Sequence, residues 1–264
     1  MKTLGSMSCG KGLLLLFISL LGLVGTLLID PIPQDPNFHL FADTRTCLGI
    51  LNFGNTASNI VFAIIGSWGI WITLGPKGNE LFISGMHKLP YVVFYIGIFL
   101  VSIGSGYYHW SPDNERLFWD RLPMTIAFMG FFVACLTDRL GQPALVKWLL
   151  PLSILLGAGS VIYWAVTESQ GSGDLRLYGF IQFFPILILP LVCKFYPRWN
   201  YTNGKYLFWI VVCYTFALLL EKLDYWIYDL FFATISGHTL KHLFASVSAF
   251  IVAIMLQSKR INED

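Results

Sequence analysis

Charge is what this sequence is short of. Asp, Glu, Lys and Arg make up 12% of its 264 residues, about half the ~25% share of a soluble domain. That scarcity excludes an ordinary water-soluble enzyme, and it excludes a disordered chain, which charge keeps in solution. Cysteine is scarce too: Cys9, Cys47, Cys135, Cys193 and Cys213, with no CxxC pair. Such spacing builds neither a disulfide framework nor a thiolate metal site. Positive charge forms no run, and 17 Lys and Arg exceed 15 Asp and Glu by only two, so no nucleic-acid partner is expected. Internal repeats and low-complexity segments are missing. What is abundant is apolar surface: 56% hydrophobic and 16% aromatic residues, with a mean hydropathy of +0.65. Such a chain is dissolved mostly in lipid.

A spanning helix needs ~20 apolar residues. Stretches free of Asp, Glu, Lys and Arg lie at 12–29, 46–76, 89–112, 122–137, 148–167, 177–193, 206–220 and 243–258. The second holds a loop and then a helix near 56–74. The expected fold is therefore an all-α integral membrane protein of eight spans joined by short loops. Residues 1–29 read as a retained N-terminal membrane anchor. A signal peptide is the alternative, because Lys2 and Lys11 precede the apolar run, but no small-x-small cleavage site follows. Residues 30–55 carry Pro31, Pro33, Pro36, Asp30, Asp35 and Asp43 and read as an outer cap. Residues 56–257 form the core and 258–264 a short cytoplasmic tail. With the N-terminus cytoplasmic, eleven of the 17 Lys and Arg fall inside and eleven of the 15 acidic residues fall outside. That distribution satisfies the positive-inside rule and places both termini in the cytoplasm. The Asn200-Tyr201-Thr202 sequon then lies on an inner loop, where no glycan is expected.

Ionisable groups inside spans are costly and mark function by default. Here they share one depth. Ser105 and His109 end the third span, Asp120 and Arg121 begin the fourth, Glu221, Lys222 and Asp224 end the seventh, and His238, Lys241 and His242 begin the eighth. All fall in the outer leaflet. Ser105 and His109 are spaced i,i+4, as are His238 and His242, so each pair shares one helix face. Two imidazoles one turn apart can grip one metal ion, as in HExxH helices. His109 would complete three ligands and leave a fourth position open, the arrangement of a catalytic zinc site. A lone buried histidine is more often a packing residue, but three His, a Ser and an Asp at one depth are not explained by packing. Glu221 and Asp224, spaced i,i+3, are candidate partners for the imidazole N–H groups, or interfacial residues pairing with Lys222 or Lys241. Arg121, next to Asp120, is expected either to tune the Asp120 carboxyl or, as the leading reading, to snorkel outward. His39 and His87 fall in loops and are expected to be solvated, and the many Trp and Phe to face lipid or the interface.

Ser105-x3-His109, Asp120 and His238-x3-His242 together resemble a membrane hydrolase superfamily. It includes alkaline ceramidases, adiponectin-receptor-like proteins and Per1-type GPI-remodelling proteins. The stretch Gly49-Ile50-Leu51-Asn52-Phe53-Gly54-Asn55-Thr56-Ala57-Ser58-Asn59 is similar to the opening of the first core span of alkaline ceramidases. Ser236-Gly237-His238-Thr239-Leu240-Lys241-His242 resembles bacterial-type members. The resemblance covers residues 40–257 and implies a seven-helix transmembrane hydrolase core with one extra N-terminal helix. It implies zinc held by His109, His238 and His242, with Ser105 and Asp120 as catalytic residues. Animal members also hold calcium through acidic residues of the N-terminal segment. Here Asn52 replaces a family glutamate and Gly54 a tryptophan, leaving Asp43 as the nearby carboxylate, so calcium is not expected.

The implied function is zinc-dependent intramembrane hydrolysis of the amide bond of ceramide or a related N-acyl lipid, giving a sphingoid base and a fatty acid. Asp120 would serve as general base and Ser105 as a donor to the bound water or oxyanion. The implied partners are the lipid substrate and the membrane; no protein partner is indicated. The active site would lie near the outer face, in a bacterial inner membrane or, alternatively, ER or Golgi. A receptor-like seven-span protein with a structural zinc site is a second reading, disfavoured by the short expected tail. A proton or solute transporter is a third, disfavoured because the inner halves of spans three, four and eight are almost wholly apolar.

Overall fold

The computed structural model describes residues 5–258. The expected tail lies outside the described residues apart from Ser258. The chain is all-helical, with eight helices long and apolar enough to cross a membrane. In order these are α1 (Gly5–Leu28), α2 (Phe53–Ala57) continuing into α3 (Ile60–Leu74), then, after the short α4 (Pro76–Leu81), α5 (Gly85–Trp110) and α6 (Asn114–Leu140). They continue with α7 (Val146–Ser169), α8 (Arg176–Phe195), α9 (Gly204–Lys222) and, after the short α10 (Asp224–Leu230), α11 (Gly237–Gln257). Each charge-free stretch of the sequence lies largely within one of these spans. Apart from the second stretch, which is longer than its helix, the spans outrun the stretches; lipid forces every backbone group into the helix ladder, so polar flanks are drawn in at the ends.

Local chemistry sets the boundaries that matter. The Asp113 carboxylate accepts from the Arg116 N–H at 2.7 Å and starts α6, Ser236 accepts from the Thr239 N–H at 3.0 Å and starts α11, and Gly141 ends α6 at φ +62°. These polar side chains satisfy N–H groups that a helix start leaves free.

The core sits around α5 and α6, the most extensive helix pair, flanked by α3 and α7, with the α9–α11 pair packed on α3. Gly104 permits the close approach: a Cβ there would overlap the Trp119 carbonyl oxygen and lie 3.3 Å from Pro123 Cγ. Pro123 has no N–H to give that carbonyl. The peripheral helix is α1, which packs on α8 with only 6% of its most apolar window buried. Its end is tied down by Arg176, whose Nη1 donates to the carbonyls of Leu27 and Ile29 at 2.9 and 2.6 Å. Arg176 is gripped by Asp174 at 2.8 Å. At the opposite end of the bundle, buried Asp138 accepts the N–H groups of Asn200, Tyr201 and Thr202 at 2.9–3.1 Å. This ties the α8–α9 connection to α6 and buries the sequon threonine.

Candidate metal centre

The i,i+4 pairs place their side chains on the inward faces of α5 and α11. Ser105, His109, His238 and His242 are all buried. The ligand nitrogens of His109, His238 and His242 lie within 4.8 Å of one another. His109 Nε2 and His238 Nε2 are 3.2 Å apart, and the three ring centroids are 4.7–5.0 Å apart. Phe41, from the cap segment, lies 4.8 and 4.7 Å from the rings of His109 and His238 and shields one side.

His242 Nδ1 lies 2.8 Å from the Ser58 hydroxyl, which is 3.1 Å from the Asn55 backbone carbonyl. With the hydroxyl donating to that carbonyl, its oxygen accepts from Nδ1–H, the tautomer that frees Nε2 for a metal. Nε2 is left with a lone pair aimed at the cluster. An N–H anchored on the far side of the ring is how metal-binding imidazoles are oriented. His109 Nδ1 is buried without a hydrogen-bond partner among the described residues. Three buried imidazoles whose nitrogens converge, with His242 Nδ1 against Ser58 on the far side of its ring, fit a divalent cation of borderline softness, zinc foremost.

Asp120, on α6, faces the Ser105 hydroxyl. Both line a cavity of about 630 Å³ together with His242, Arg121, Glu221 and Lys241, a volume typical of small-ligand sites. Beyond this polar layer the walls are apolar and reach Phe94, Leu189 and Val252. Val252 lies ten residues past His242, about 15 Å along the helix.

Of the two roles expected for Glu221, the structure has the lysine pairing, with Lys241. The Asp224 carboxylate accepts the backbone N–H of His238 at 2.7 Å and of Ala42 at 2.9 Å. Both acids thus engage a lysine and backbone rather than imidazole rings, and Asp224 sits at the α11 N-terminus, where negative charge is favoured. Arg121 does not snorkel outward; it is buried beneath the cap segment, with Gln34 and Phe38 against it. His39 is not free in solvent: it bridges the Tyr108 hydroxyl and Asn114 Oδ1, both at 3.0 Å, and so ties the cap to the α5–α6 turn. His87 lies in the first turn of α5, half-buried, with Nδ1 2.9 Å from Ser84 Oγ.

The donors named for calcium do not fit that ion. Asp43 is buried, and both its oxygens are taken by the Arg45 guanidinium at 2.8 and 2.7 Å. Burial pushes the Asp43 carboxyl up, but the bonds from Arg45 outweigh it and hold the group below the usual carboxylate range. Asn52, at φ +46°, donates to the His109 carbonyl at 2.8 Å and ends α5.

Sequence reasoning missed the roles of Asn55 and Ser58. Asn55 Oδ1 accepts from Ser236 and Thr239 at 3.1 and 2.9 Å, linking α2 to α11. Both residues lie in the Gly49–Asn59 stretch, whose polar run entering an apolar span was the available signal. Asp43 packs where a Gly54 Cβ would be, 2.6 Å from its Oδ2, which accounts for the glycine.

Two comparisons with known proteins bear on this site. The sequence profile of the family described as Ceramidase matches residues 48–264. A Dictyostelium discoideum protein named "Putative alkaline ceramidase dcd3A" is 24% identical over 230 residues, covering 76% of this chain and 78% of its own. Neither comparison bears on a bacterial-type branch. The family match spans most of the chain and contains all three clustered histidines, and on that ground this chain belongs to the ceramidase family.

Proposed function

We propose that this chain is a zinc-dependent intramembrane amidase that cleaves ceramide or a related N-acyl lipid to an amine and a free fatty acid. The family implies an amidohydrolase acting on a ceramide-like lipid, and the observation that carries the finer reading is the convergence of three buried imidazoles beside a long apolar cavity. His109, His238 and His242 hold the metal. Zinc, when bound, supplies Lewis acidity that lowers the pKa of water towards ~7 and polarises a carbonyl.

The chain's own residues do the rest. Asp120 takes the water proton on a carboxylate oxygen and delivers it to the leaving amine. Ser105 holds the Asp120 carboxylate in place beforehand. Once Asp120 is protonated, the Ser105 hydroxyl is released to donate to the developing oxyanion, a contribution of ~3 kcal/mol if it matches other oxyanion donors. The apolar walls take an acyl chain and exclude water, which strengthens each polar contact at the reacting centre.

The lysine and arginine bias supports termini in the cytoplasm and a site near the outer face. The Ser236–His242 context supports a bacterial-type member in an inner membrane. The domain reading follows: an anchor at 1–29, a cap at 30–55 over the site, the catalytic core at 56–257 and a tail at 258–264.

The test is purification in detergent, metal analysis, and mass spectrometry of fatty acid released from N-acyl lipids. The expected result is about one zinc per chain and turnover, both abolished by His238→Ala, with metal retained but turnover lost in Asp120→Asn. Amidase activity persisting in metal-free His238→Ala overturns the scheme.

A further inference from the structure

The cavity holds a neutral polar pair that this reaction leaves unused. Gln182 on α8 and Tyr214 on α9 both line it. α8 packs on α1, α6 and α7, and α9 packs on α11; the two hardly pack on each other. Gln182 Nε2 donates to the Tyr214 hydroxyl at 2.8 Å and so spans the space between them. The Tyr214 ring stands edge-on to Phe128 at 5.6 Å.

That bond uses only part of what the pair offers. Among the described residues, the Tyr214 O–H proton has no acceptor and Gln182 Oε1 has no donor. Oε1 is not sealed in packed protein, so the spare acceptor faces the cavity that Gln182 lines. Turning the amide over exchanges the roles and still leaves a donor and an acceptor. Unused polar capacity between apolar walls is costly. A group that both donates and accepts satisfies it, whereas a carboxylate or an ammonium meets half of it. A neutral hydroxyl is such a group.

Depth narrows which hydroxyl. The cap segment touches Arg121 near the start of α6, Leu175 at the start of α8 and Asp224 after the end of α9, and Asp224 in turn holds the start of α11. These four helix ends share one face. At 1.5 Å per residue from those ends, His242 lies about 8 Å inside, Asp120 and Gln182 about 9 Å and Tyr214 about 12 Å. The pair is level with the metal cluster or up to one turn deeper, on the chain side of a bound amide and away from the head.

We propose that Gln182 and Tyr214 are specificity-determining residues that bind a hydroxyl on the chain side of the scissile amide: the 3-hydroxyl of a sphingoid base or a 2-hydroxyl of the acyl chain. Which bond is cut rests on the hydrolase reading; the hydroxyl site is read by binding. The experiment is displacement of a fluorescent N-acyl amide without hydroxyls from the full-length protein in detergent, with turnover followed in parallel. Competitors share chain lengths: dihydroceramide, its 3-deoxy and 1-deoxy analogues, and dihydroceramide with a 2-hydroxyacyl chain. In the wild type, the competitor bearing the bound hydroxyl displaces the probe about tenfold better than its counterpart without it, as two neutral hydrogen bonds allow. Tyr214→Phe, which keeps the ring, and Gln182→Met, which keeps the length, each cut that ratio below about threefold. The ratio is taken within one variant, so a general loss of fold or metal cancels, and either variant alone carries the test.

A loss with the 3-deoxy analogue identifies the base hydroxyl, and a gain with the 2-hydroxyacyl chain the acyl hydroxyl. Equal binding of all four by the wild type overturns the proposal, as does discrimination confined to the 1-hydroxyl. So do variants that weaken every competitor by one factor, because the pair is then only a brace between α8 and α9. Hydroxyl-dependent binding without hydrolysis removes the amidase reading and leaves the hydroxyl site. Hydrolysis with no hydroxyl preference does the reverse.

Discussion

Two glycines on one helix offer a controlled perturbation of the site. Gly104 and Gly106 are both in α5, flanking Ser105. A Cβ at Gly104 would overlap the Trp119 carbonyl oxygen and crowd Pro123, whereas a Cβ at Gly106 meets nothing within 4 Å. The atoms opposing Gly104 are backbone and a proline ring, so they cannot rotate away. Gly104→Ala must push α5 from α6 at the level of Ser105 and Asp120. Overpacking of this kind costs about 1–3 kcal/mol, offset by up to ~1 kcal/mol from the better helix propensity of alanine. Gly106→Ala receives the propensity gain without the clash. The expected outcome is a melting midpoint in detergent several degrees lower for Gly104→Ala, and unchanged or slightly higher for Gly106→Ala. Separating Ser105 from Asp120 by ~1 Å is expected to lower amidase turnover about 100-fold, with Gly106→Ala near wild type. Equal midpoints and equal rates for the two variants would refute the packing argument and the pairing of Ser105 with Asp120.

Three further perturbations test the supports of the site. Ser58→Ala removes the anchor of His242 Nδ1 and is expected to weaken metal affinity or activity about 10–100-fold, read by competition with a chromogenic chelator; unchanged affinity refutes the tautomer assignment. Arg45→Ala strands the buried Asp43 carboxylate and is expected to destabilise by about 1–3 kcal/mol. Adding Asp43→Asn should recover part of that loss in a double-mutant cycle, and strict additivity would show that the pair is not coupled. Asp174 is held at about 2, first by the hydrogen bond from Arg176, below its ordinary ~3.9. A depressed carboxylate stabilises above the unfolded value and loses that contribution as pH falls through the folded one. The stability gap between wild type and Asp174→Asn is therefore expected to be full above pH ~4 and to close towards pH ~2. A gap constant across that window contradicts the ion pair that ties α1 to α8.

The sequence by itself determined what lipid demands of any chain. Eight apolar runs had to become eight spanning helices because backbone groups have no other partner in the bilayer. The 3.6-residue period alone put Ser105 with His109 and His238 with His242 on common faces, and the charge-free stretches put these groups at one depth. What periodicity leaves open is the rotation of one helix against another. His109 and His238 are 129 residues apart, and their meeting is set by the packing of α3, α5, α6, α9 and α11. The cap segment has neither period nor apolar run, so the contacts of Phe41, Asp43 and His39 were beyond local reading. Arg121 shows the limit most plainly. Its place beside a span end predicts a side chain reaching for water, and only the aromatic cage of Phe38, Trp164 and Tyr178, drawn from three other segments, turns it inward. Tertiary structure alone decided whether each polar group at that depth faced lipid headgroups or the cavity, because that depends on which neighbours pack around it and not on the order of residues along one helix.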